Sequence, residues 1–116
     1  MKVNERLEKI RRMEIDFEYV GEKLLAWAYE KSQDNGCEEL VIRDIWLQKE
    51  YVGELVQAMR EHGYTRFYMA NRDSSLFDIL ALFQDFGGHM GNIHRIAWGK
   101  SWKGEQEYVA AIEITF

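Results

Sequence analysis

From Asp16 to Gln33 the apolar residues Phe17, Val20, Leu24, Trp27 and Ala28 recur at helical spacing, and Asp34, Asn35 and Gly36 supply stop chemistry. The pattern predicts an amphipathic helix. Upstream, Val3, Leu7 and Ile10 also fall at helical spacing among charges, so residues 1–15 form either a separate short helix or a frayed extension of the next one. The unbroken triplet Leu40, Val41 and Ile42 reads as a strand buried on both faces. A second helical stripe (Tyr51, Val52, Leu55, Val56, Met59) closes at His62 and Gly63, and Tyr64 to Ala70 follows as a strand of β-favouring residues. Ser74 or Ser75, with Asp78, offers an N-cap for a third stripe of Leu76, Ile79, Leu80 and Phe83, which ends at Gly87 and Gly88. The remainder is a hairpin: Asn92 to Trp98, a polar loop, then Tyr108, Ala110, Ile112, Ile114 and Phe116 alternating on one face.

The fold class that follows is a mixed α/β domain in the order α-β-α-β-α-β-β. It has about four strands, mostly parallel, with an antiparallel C-terminal hairpin and helices packed on the sheet. Helical crossovers place the first three strands in one direction, and Leu40, Val41, Ile42, Leu80, Phe83 and Ile112 are the expected core.

A chain of 116 residues with 47% hydrophobic content supports one core, so residues 1–116 are expected as a single domain. The lone Cys37, the absence of a long apolar run and the charged start point to a cytoplasmic protein without a membrane span. The formal net charge of −5 disfavours direct binding of nucleic acid.

No metal motif emerges. His62, His89 and His94 lack partners at zinc spacing, and Glu38 and Glu39 beside Cys37 work against a thiolate nucleophile. No residue reads as catalytic. Trp102, between Lys100 and Lys103 in the hairpin loop, has the composition of a protein-binding anchor. Asp44 and Trp46, just past the first strand, together with Gly53, mark where an α/β sheet would place a ligand crevice.

The run Leu40 to Phe116 resembles the second half of the GNAT acyltransferase superfamily in its order of elements. Phe83-Gln84-Asp85-Phe86-Gly87 is similar to that family's Tyr-x-x-x-Gly element, and Gly53 falls at its pyrophosphate-binding turn. The resemblance implies a coenzyme A thioester as cofactor. Glu50 and Leu55 depart from the residues that would cradle the cofactor phosphates, and Phe83 replaces the Tyr acid, which implies a relative that has lost acyl transfer.

The leading expectation is a small acidic non-enzymatic domain with no cofactor, a regulator or inhibitor that binds a basic surface of another protein. The alternative is a degenerate acyltransferase-like or small-ligand-binding domain. A homo-oligomer through the C-terminal strand, taken as a sheet edge, is the third expectation.

Overall fold

The computed structural model describes residues 4–43, 49–72 and 74–116. Helix α1 (Glu5–Arg11) is separate from α2 (Val20–Asp34), which settles the open question at the start of the chain. Asn4 caps α1 by accepting a hydrogen bond from the Leu7 backbone N–H at 3.2 Å. Strand β1 (Val41–Ile42), helix α3 (Lys49–Glu61), strand β2 (Arg66–Met69), helix α4 (Leu76–Asp85) and the hairpin β3 (His89–Lys100) and β4 (Gln106–Thr115) follow. Ser75 occupies the N-cap position of α4 but makes no capping bond with its side chain, so the expected capping box is absent.

The sheet order is β1-β2-β4-β3. Only β1 and β2 are parallel neighbours, whereas β4 runs antiparallel to both β2 and β3. The first three strands therefore do point one way, but the last strand is inserted between the second and third. This corrects one expectation in part: over Ile112–Thr115, where β2 pairs with it, β4 is an interior strand and not a sheet edge. The edges are β1 and β3, and each is protected. Ser32, fully buried on α2, donates from Oγ to the Val41 carbonyl at 3.2 Å and accepts from the Val41 N–H at 3.0 Å, closing β1. In β3 the register gains one residue on its partner twice, between Met90 and Ile93 and between Ala97 and Lys100. Such bulges bend an edge strand away from strand pairing.

The described helices gather on one sheet face over Leu40, Ile42, Phe67, Met69 and Ile114. Leu40, Val41, Ile42, Leu80 and Phe83 are buried as expected, while Ile112 is only half-buried against this core. The expected face of β4 is right for Ile112, Ile114 and Phe116, yet Tyr108 and Ala110 are exposed. The helical stripe of α2 is rotated from the expected one: Leu24 and Ala28 pack inward as expected, but they are joined by Gly21, Glu22, Leu25, Ala26, Tyr29 and Ser32, while Phe17, Val20 and Trp27 are left partly in solvent. Gly21 explains the rotation, because a Cβ there would sit 2.1 Å from the Glu54 carbonyl oxygen, so α2 turns its smallest residue toward α3.

The second face carries a smaller cluster of Cys37, Val41, Tyr68, Ala70 and Ala111, flanked by Ile96, Trp98 and Val109. The hairpin is tied over it: the Gly99 N–H donates to the Asn35 carbonyl at 2.8 Å. Gly99 has φ 66 and its missing Cβ leaves room for Asn35 Oδ1, so both backbone and contact favour glycine there.

Candidate functional site

Two parallel neighbours end side by side, β1 at Ile42 and β2 at Met69, and each is followed within three residues by an arginine, Arg43 and Arg72. Ligand crevices in open α/β sheets form at such carboxyl ends. Here α2 supplies one wall with Trp27, Ala28 and Lys31, and the bent hairpin supplies the other with Trp98. Together with Val41, Arg43 and Arg72 they line an open cleft of about 250 Å³. Its floor is apolar, since Ala28 and Val41 are each 1% exposed.

Both walls repeat one chemistry. The Lys31 ammonium lies 5.9 Å from the centre of the Trp27 ring, one helical turn away, and the Arg43 guanidinium lies 5.9 Å from the centre of the Trp98 ring. Three cations meet two indoles, and no carboxylate is among the described lining residues. In a chain of net charge −5 the described lining of this cleft carries only positive side-chain charges.

A larger depression of about 670 Å³ lies at the amino ends of the same strands, lined in part by Glu5, Glu39, His62 and Arg66. Three of these groups are already paired within the fold. Arg66 pairs with Glu39 at 3.2 Å, and His62 turns inward to place Nε2 3.0 Å from Glu22. Glu22 is 2% exposed, accepts hydrogen bonds from Arg6 Nε and Nη2 at 2.7 Å each, and accepts one from the Glu18 N–H at 2.9 Å. The Arg6 hydrogen bonds, opposed by burial and aided by the Glu18 N–H and His62, pull its carboxyl down to about 2. This group pins α1 to α2 and to the end of α3. His62 is thus a buried partner of Glu22 as well as a residue at a helix C-terminus.

The remaining predicted residues are dispersed. Trp102 is 90% exposed at the hairpin tip, with the Lys103 ammonium 5.2 Å from its ring centre and Lys100 exposed nearby. The tip itself is ordered by Ser101, whose N–H donates to the Glu105 carbonyl at 2.8 Å. Asp44 and Trp46 lie outside the described residues. Gly53 lies inside α3 under the Phe86 ring, where a Cβ would come within 2.9 Å of the ring, so its described role is close packing between α3 and α4. Cys37 is buried, and burial pushes its thiol up, opposed by a hydrogen bond from the Glu39 backbone and aided by the Glu39 charge. Among the described residues no group of His, Cys, Asp or Glu could hold a metal ion, and no helix is long and apolar enough to cross a membrane.

On the second sheet face, Tyr68 places its hydroxyl 3.4 Å from Glu113, and His94 lies 3.6 Å from the same carboxylate. Burial pushes the Tyr68 hydroxyl up, Arg66 opposes that, and Glu39 and Glu113 add to it. The group can hold a proton on Tyr68.

The cleft was not legible as such in the sequence, because Trp27 completes an apolar helical stripe and reads as core. The available signals were Lys31 four residues after Trp27 and an arginine just past the end of each of two strands.

A family model described as a domain of unknown function (DUF7698) matches residues 24–116. No curated protein and no solved structure matches the chain. The described lining residues of the cleft all fall within the matched range, whereas Arg6 and Glu22 precede it.

Proposed function

The chain belongs to the family described as a domain of unknown function (DUF7698), and for this member we propose a binding function: it holds a small organic anion in the cleft between α2, the ends of β1 and β2, and the hairpin. The observation that carries this reading is the convergence of Lys31, Arg43 and Arg72 with Trp27 and Trp98 in an otherwise acidic chain. A guanidinium presents N–H donors in a fixed fork that matches a carboxylate or phosphate, and Arg43 and Arg72, each also held by protein contacts, bring that geometry to the cleft. Coenzyme A, implied by the acyltransferase resemblance, is one candidate among such anions.

Titration calorimetry with citrate, ATP and coenzyme A at low salt tests the proposal. Binding of at least one anion should weaken at least tenfold in an Arg43→Gln/Lys31→Gln double variant and weaken as salt rises. Absence of binding across the series, or equal binding by the double variant, refutes it.

A second reading rests on a separate observation, the 90% exposure of Trp102 beside Lys103. An indole held in water next to a cation is the composition of a protein-binding anchor. The partner that suits it presents acidic groups around an apolar pocket, rather than the basic surface that the net charge suggests. Capture of such a partner should fall with Trp102→Ala while the melting temperature stays put.

A further inference from the structure

We infer that the ligand of the cleft is a nucleotide, a flat base joined through a sugar to a phosphate; this rests on the anion-binding reading and narrows it. Size gives the first constraint. Pockets that enclose a whole drug-sized molecule usually span ~300–1,000 Å³, and this cleft of about 250 Å³ falls below that range. It encloses about one ring system and one anionic group and leaves the rest of the ligand in solvent.

Arrangement gives the second. Each wall pairs an indole with a cation, Trp27 with Lys31 on α2 and Trp98 with Arg43 across the second sheet face. A ligand that uses either wall fully carries a flat apolar ring and a negative group a few ångströms apart. A polycarboxylate would make no use of the indoles, and an acyl chain would make no use of the positive charge. Stacking of a base on an indole with a guanidinium fork on the phosphate uses both. Exposure adds a third point, since Trp27 is 40% exposed on a helix that buries its other face, so its ring stands at the mouth of the cleft.

Such a base and phosphate come either from a free mononucleotide or from one residue of a single strand. The acidic remainder of the protein repels a long phosphate backbone, which favours the free mononucleotide.

The test compares adenosine 5′-monophosphate with ribose 5-phosphate, adenosine and a single-stranded pentanucleotide, by calorimetry and by quenching of Trp fluorescence. The nucleotide should bind at least tenfold more tightly than either ribose 5-phosphate or adenosine, and both Trp27→Leu and Trp98→Leu should remove most of that advantage. Trp27 is the safer variant because it is partly exposed, and circular dichroism confirms that each variant folds. Equal binding of ribose 5-phosphate and the nucleotide overturns this inference while leaving the anion-binding reading intact. Equal binding of adenosine and the nucleotide overturns the phosphate contact. No binding by any phosphate compound, with citrate and coenzyme A also inert, removes both readings. Tighter binding of the pentanucleotide than of the mononucleotide assigns the base and phosphate to a strand and overturns the choice of the free form.

Discussion

Replacing Glu22 by Gln keeps the shape of the side chain and removes the charge that Arg6 and His62 share. The carboxyl is held at about 2, against an ordinary 4.5, chiefly by the two 2.7 Å bonds from Arg6. That depression corresponds to roughly 3 kcal/mol at about 1.4 kcal/mol per tenfold change in proton affinity. Arg6 is 37% exposed, so water screens part of the interaction, and about 2 kcal/mol is the expected net loss at pH 7. For a chain of this length, at about 4 °C per kcal/mol, the melting temperature should fall by roughly 8 °C. The pH dependence carries a sign. A depressed carboxyl stabilises the fold above its ordinary value, and that contribution is lost as the pH falls from 4.5 toward about 2. The gap in stability between the native chain and Glu22→Gln should therefore be full at pH 6–7 and close across that window. Circular dichroism melts of both proteins between pH 2 and pH 7 measure it. A gap that is absent at pH 7, or that persists unchanged at pH 2, refutes the account of how α1 is attached.

Other expectations follow from single contacts. Gly21→Ala should cost about 3 kcal/mol or more in denaturant melts, because the clash is with backbone that cannot swing away. Ile114→Asp should unfold the domain by burying an unpaired charge, whereas Ile112→Asp, at a half-buried position, should leave a folded but weakened chain; chemical denaturation distinguishes the two. Trp102→Ala should change stability by less than about 0.5 kcal/mol, and a melting temperature lowered by many degrees would show that the indole packs on the fold. Cys37, 3% exposed with its thiol pushed up, should react with a thiol reagent at neutral pH only as fast as the domain opens, so rapid labelling of the native protein would contradict its burial.

The order of elements was legible because each one satisfies a local rule: period two in Tyr108 to Phe116, glycines at Gly63 and Gly87 with positive φ, and a continuous apolar triplet at Leu40 to Ile42. What local rules do not encode is which strand lies beside which. The insertion of β4 between β2 and β3 depends on long-range pairing such as Phe67 with Ile114, and it makes Ile112 to Thr115 interior to the sheet. The rotation of α2 depends on a single close approach at Gly21, which no periodicity reports. Because of that rotation Trp27 leaves the core and joins Trp98, 71 residues away in the chain, at the same cleft. A site assembled from one helix, two strand ends and a folded-over hairpin has no contiguous motif. The exposure of Trp102, by contrast, was readable, since its polar loop offers no apolar surface to cover an indole.

The most direct test of the cleft uses the indole N–H signals of Trp27, Trp98 and Trp102 as position markers in a proton–nitrogen NMR spectrum, with pyrophosphate and then ATP added at low salt. Anion binding in the cleft predicts that the Trp27 and Trp98 signals, and the backbone signals of Lys31, Arg43 and Arg72, shift together with one saturation curve while Trp102 stays in place. Shifts that gather at Trp102 and Lys103, or a spectrum left unchanged by both compounds, would contradict the assignment of the cleft as the binding site.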